Sequence, residues 1–194
     1  MSIVDFNRPV YNNHELTTGK LLIADPFLAD SNFARTVVLL CEHGEDGTVG
    51  FVLNNRTDIA IGDLLPEISA AMLIVNQGGP VQTDTLHMVH RIPEVLGGNK
   101  VVDGVFWGGS YEVLQTILAG NTYDSDMLQL FVGYSGWSVG QLQEEIDQRS
   151  WIVTDFQPHI LFGTDTDEMW KAAILSLGKE YEYLINLPIN PQLN

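Results

Sequence analysis

The residues of this chain that could do chemistry are a serine framed by glycines, two histidines three apart, a carboxylate cluster and two Gly-Gly pairs. Ser135 lies in Gly133-Tyr134-Ser135-Gly136-Trp137, between a strand-like and a helix-like run. Hydrolases hold a nucleophilic serine at such a junction in the pattern G-x-S-x-G. Here the second glycine of that pattern falls on Trp137, so the pattern fails. The segment is expected to be a structural corner: a tight turn in which Gly133 and Gly136 let the backbone bend between Tyr134 and Trp137, with the indole buried in the core. No catalytic residue is assigned. His87 and His90 would point to opposite faces of a strand, so they cannot share a metal there. Asp165, Asp167 and Glu168 suit the first turn of a helix, and their spacing lacks the glycine and terminal glutamate of a calcium loop. No metal site is assigned either.

Gly108-Gly109-Ser110 precedes a helix-like run and could cradle an anion with backbone N–H groups. No lysine follows it and no G-x-G-x-x-G occurs, so neither nucleotide fingerprint is present. Gly78-Gly79 ends another apolar run. Gly78, Gly79, Gly108, Gly109 and Ser110 are therefore the candidate ligand-binding positions. The competing reading is that such pairs mark close backbone approach. Arg35, near Asp30 and beside an apolar run, is expected to anchor a structural ion pair. Cys41, among valines and leucines, is expected to be a buried, inert thiol.

The elements that must position these residues alternate irregularly. Strands are expected at 20–23, 36–43, 49–54, 72–76, 85–92, 101–107 (broken by Asp103-Gly104), 127–134 and 151–156. The second and third should form a hairpin whose loop, Gly44 to Gly47, is somewhat longer than two residues. Helices are expected from Ile61 to Ile68, from Tyr111 to Ala119 with Ser110 as N-cap, from Ser138 to Gln148, and from Asp165 to Gly178. The last carries Met169, Trp170, Ala173, Ile174 and Leu177 on one face. Strands and helices do not alternate one for one, as a doubly wound sheet demands. The expected class is α+β, mixed and largely antiparallel, with a strongly curved sheet and helices around it.

Nine Lys+Arg against 25 Asp+Glu give a formal net charge of −16. Nucleic-acid affinity rests on cations displacing counterions from phosphates, so direct binding to nucleic acid or to an anionic membrane is not expected. No apolar run approaches the ~18 residues of a membrane-spanning helix. The start of the sequence lacks the basic and apolar regions of a secretory signal, and a single cysteine forms no internal disulfide. A cytoplasmic location is the expectation.

Taken in order, the segments Gly19 to Asn54, Asn76 to Val81 (NQGGPV), Val105 to Ser110 (VFWGGS), Leu130 to Ile146, Ser150 to Val153 and the Trp170 helix resemble the YqgE/AlgH family of small bacterial proteins. The resemblance spans about Gly19 to Leu187. It implies a single domain over 19–187 whose bifurcated sheet folds into a pseudo-barrel with helices outside, flanked by tails at 1–18 (partly extended) and 188–194. Two departures stand out. Asn54-Asn55-Arg56-Thr57 inserts a residue and lacks the proline that the family places after Val-Leu-Asn, and Ser135 replaces a common alanine. The resemblance brings a traditional label of transcriptional regulator and no catalytic residues or cofactor to carry over. The expected role is non-enzymatic: binding an unknown protein partner or small ligand, with any regulatory effect indirect. The alternative is an enzyme or metabolite-binding domain with a pocket near the Gly-Gly strand ends.

Overall fold

Aliphatic and β-branched runs that are apolar on both faces become strands covered on both sides. In the computed structural model, which describes residue 11 and residues 14–68, 71–121, 123–124 and 126–187, strand β1 (Lys20–Ala24) pairs antiparallel with β2 (Val37–Gly44) and with β10 (Trp151–Asp155). Leu21, Ile23, Val37 and Leu39 face one core cluster, and Leu22, Ala24, Val38 and Leu40 another. The tails assigned to 1–18 and 188–194 lie outside the described residues, apart from Tyr11 and 14–18. β2 turns into β3 (Gly47–Val52) with Gly44 opposite Gly47. Only Glu45 and Asp46 lie between them, so the hairpin loop is shorter than expected.

Strand β9 (Leu128–Trp137) organises the rest of the sheet. Along one side it pairs antiparallel with β6 (Val81–His90). On the other side it changes partner. Leu130, Phe131 and Val132 run parallel to β5 (Ile74–Gln77), whereas Ser135, Gly136 and Trp137 run antiparallel to β3. β5 in turn carries β4 (Arg56–Ala60). The sheet thus forks into a β3-β2-β1-β10 branch and a β5-β4 branch. Beyond β6 it continues through β8 (Val105–Trp107) to β7 (Asn99–Val102). The sheet curls until β7 reaches the start of β1, where a methyl group on Gly19 would lie 2.8 Å from the Val101 carbonyl oxygen.

Gly133 sits at the fork with φ 66°, in the left-handed region. A methyl group there would lie 2.7 Å from the Gly79 carbonyl oxygen, and one on Gly79 would lie 2.3 Å from the Tyr134 carbonyl. Gly78 ties the branches together. Its N–H donates to Val132 O, and its carbonyl accepts from Val52 N and from Ser135 Oγ. The tight turn expected over Gly133 to Trp137 is therefore absent. Those residues are the second half of β9, and the glycine is needed because two backbones cross there.

Two further expectations change for local reasons. The helix over 61–68 breaks into α1 (Ile61–Leu64) and a 3₁₀ turn (Pro66–Ile68), because Leu65, preceding a proline, adopts φ −123° and ψ 91°. The strand over 101–107 is the β7–β8 hairpin, and the break expected at Asp103-Gly104 is its turn. α2 (Pro93–Leu96), α3 (Tyr111–Ala119), α4 (Gln141–Asp147), α5 (Pro158–Phe162) and α6 (Thr166–Ser176) pack around the sheet. Met169, Trp170, Ala173 and Ile174 bury one face of α6 in the larger cluster with β1 and β2. Ser110 Oγ accepts from Val113 N and caps α3. Among the described residues no helix is long and apolar enough to cross a membrane.

Candidate functional site

Each residue singled out in the sequence has a definite place. Ser135 is fully buried, and its hydroxyl is spent on Gly78 O at 3.1 Å. Tyr134 stands edge-on to His87. Trp137 is 5% exposed and packs against Phe33 and Trp151, and its indole N–H donates to Glu145, which also receives the Trp151 N–H. His87 and His90 face opposite sides of β6. His87 lies beside Phe51 and Trp107, and His90 stacks on Phe106 and bonds Gly108 O. Burial holds both imidazoles below their usual pKa, for His90 against the opposing effect of its carbonyl partner. Cys41 is buried, which pushes its thiol far above the usual range.

At Gly108-Gly109-Ser110 two of the three amides are committed: Gly108 N donates to Met88 O and Ser110 N to Leu96 O. None of the four cavities described is lined by Gly78, Gly79, Gly108, Gly109 or Ser110. Arg35 makes no ion pair with Asp30, whose carboxylate instead accepts from Asn32 N. Its guanidinium lies 4.7 Å over the Trp170 ring and donates to Leu187 O, tying the C-terminal 3₁₀ run (Lys179–Asn186) to α6. Arg35 is thus an anchor, but through a ring and a carbonyl. It holds φ 55°, its Nε is buried without a partner, and desolvation lowers its pKa.

Apart from Asp165 and Met169, the residues that do converge were not singled out. A cavity of about 630 Å³ opens between the β5-β4 branch and the loop joining α5 to α6. A polar row crosses three strands on its sheet wall. Arg56 on β4 stands opposite Asn76 on β5, and Asn76 Nδ2 donates to Gln129 Oε1 on β9 at 3.3 Å. Asn76 is only 4% exposed, and no described residue pairs with its Oδ1, although it lines the cavity. Leu53, Leu73, Leu161 and Met169 supply an apolar floor. Thr164, Asp165 and Thr166 bring in the N-terminus of α6, and Asp126, just ahead of β9, also lines the cavity. A buried asparagine on a core-facing strand has to be satisfied by something, which is the signal that sequence reading passed over in Asn76-Gln77-Gly78-Gly79. The segment Asn54 to Thr57, where this chain departs from the family pattern, runs along the same cavity through Arg56.

A forked, curled α+β half-barrel with a groove at its shorter branch defines the class of protein. The model of the AlgH-like family matches residues 21–182, and the chain belongs to that family. Among curated relatives, it is 39% identical over 181 residues to a UPF0301 protein of Cytophaga hutchinsonii, covering 92% of this chain and 100% of that one. It is 37% identical over 180 residues to a UPF0301 protein of Chlorobaculum tepidum, covering 92% and 96%. The solution structure of the AlgH protein from Pseudomonas aeruginosa superposes with a TM-score of 0.70 at 28% identity, over 95% of this chain and 98% of that one. A crystal structure of a Corynebacterium diphtheriae protein gives a TM-score of 0.75 at 22% identity, over 89% and 93%, a likeness of fold.

Proposed function

We propose that this protein is a non-enzymatic, cytoplasmic binding protein whose ligand is a small molecule held in the cavity between β4, β5, β9 and the α6 N-terminus. One observation carries the reading: a cavity of ligand size, about 630 Å³, in which convergent polar side chains from separate elements meet an apolar floor. Ser135 and Cys41, the nucleophiles weighed from the sequence, are buried and do not line that cavity, which supports binding over chemistry at those two residues. The charge of −16 argues against nucleic acid or an anionic membrane as the partner. Any regulatory effect would then pass through occupancy of the cavity.

The test is a metabolite-library thermal-shift screen, run beside pull-down mass spectrometry. A small molecule that raises the melting temperature of the wild-type protein, and loses that effect in Arg56→Gln, supports the reading. A screen without hits, alongside stoichiometric capture of one protein that is insensitive to Arg56→Gln, would replace it with a protein-docking role.

A further inference from the structure

The cavity carries charges of both signs that do not neutralise each other. Arg56, Asp126 and Asp165 all line it, and none of the three enters an ion pair among the described residues. Asp165 stands at the N-cap of α6, where its charge complements the positive end of the helix. Arg56 and Asp126 are the charges left for a ligand. Asn76, opposite Arg56 in the β4–β5 register, offers an acceptor, Oδ1, while its amide nitrogen donates to Gln129. That oxygen is open to the cavity and is not itself a buried orphan, so an N–H donor of a ligand would replace water there.

From this arrangement we infer that the ligand is a small zwitterion of amino-acid type, with an ammonium, a carboxylate and an apolar body. The inference rests on the binding function proposed above. The guanidinium of Arg56 matches a carboxylate with its planar fork. The ammonium goes to Asp126 and Asn76 Oδ1, and the apolar body lies on Leu73, Leu161 and Met169. A ligand with only a negative charge would enter a cavity that also carries Asp126 and would offer no N–H to Asn76 Oδ1. A ligand with only a positive charge would meet Arg56. Each alternative brings one like charge into the cavity, whereas a zwitterion gives Arg56, Asp126 and Asn76 Oδ1 a partner each. A free amino acid and a short peptide share this chemistry.

Titration calorimetry separates these cases. The probes are leucine, dileucine and trileucine, each beside its N-acetylated form (no ammonium) and its C-terminal amide (no carboxylate). The expected result is that at least one unblocked probe binds and that either block weakens it tenfold or more. The series that shows this behaviour tells free amino acid from peptide. In Arg56→Gln the amide should bind as well as the acid, while the penalty for acetylation stays. In Asp126→Asn the reverse should hold. Both side chains are exposed, so neither change is expected to disturb folding. Equal affinities for blocked and unblocked probes, or heats absent for all of them, overturn the zwitterion. In that event a library hit of another chemical class that depends on Arg56 leaves the binding function standing, whereas a library without hits removes both.

Discussion

Replacing Gly133 by alanine tests the fork of the sheet at the residue where β9 exchanges β5 for β3. Two costs add. The backbone sits at φ 66°, where a side chain costs about 1–2 kcal/mol. The methyl group would also lie 2.7 Å from Gly79 O and 2.9 Å from Val81 O, backbone atoms of the β5–β6 link and of the start of β6. Forcing a methyl into such a space costs a further ~1–3 kcal/mol. Gly108 supplies the control, because its φ is 78° but nothing lies within 4 Å of its methyl position. Gly108→Ala should therefore cost only the conformational part, about 1–2 kcal/mol, and Gly133→Ala about 2–5 kcal/mol. For a chain of this length each kcal/mol lowers the melting temperature by roughly 2–4 °C. Urea unfolding of both variants, with thermal melts alongside, reads the difference directly. If Gly133→Ala proves no less stable than Gly108→Ala, the two branches do not close on Gly133 and the account of the fork is wrong.

Trp137→Ala should lose about 3–5 kcal/mol, because it empties a buried site between Phe33 and Trp151 and removes one of the two donors held by Glu145. Unchanged urea unfolding would show that the indole is not packed there. Ser135→Ala should cost only ~0.5–1.5 kcal/mol, since Gly78 O keeps its bond from Val52 N, and a fluorophosphonate probe should label neither protein. Labelling of wild type alone would reinstate a serine nucleophile. His87 and His90 are held below their ordinary pKa in the fold, so the unfolded chain binds their protons first on acidification. Stability should fall as pH drops below about 6.5, the unfolded value, and the fall should be shallower in His87→Gln, as urea midpoints from pH 7.5 to 5 would report. No band shift with DNA at physiological salt is expected from a chain of charge −16, and a shift that survives competitor DNA would contradict it.

Elements with strong local signals were legible in the sequence. α3 begins at its serine cap as expected, α6 buries the predicted stripe, and β1, β2 and β10 fall within one or two residues of their apolar runs. β4, α2 and α5 were not legible. Arg56 to Ala60 is mostly exposed and shows no apolar alternation, and helices of four and five residues are too short to display a period. The fork is a tertiary fact. Gly133 looked like a turn because a left-handed glycine usually is one, and only the crossing of Gly79 explains it inside a strand. The cavity failed to show for the same reason. Arg56, Asn76, Gln129 and Thr166 are spread over more than a hundred positions, and their meeting depends on strand register and on where α6 docks.

The central claim, that the cavity beside α6 is a small-molecule site, is tested most directly by the side-chain amide signals of Asn76 and Gln129. Titrating ¹⁵N-labelled protein with the best thermal-shift hit should move both amide pairs, together with the backbone signals of Thr164 to Thr166. The signals of Gly108 to Ser110, at the other Gly-Gly strand end, should stay in place. Movement confined to Gly78, Gly79 and Gly108 to Ser110, with Asn76 and Gln129 unmoved at saturation, would put the ligand elsewhere and contradict the account.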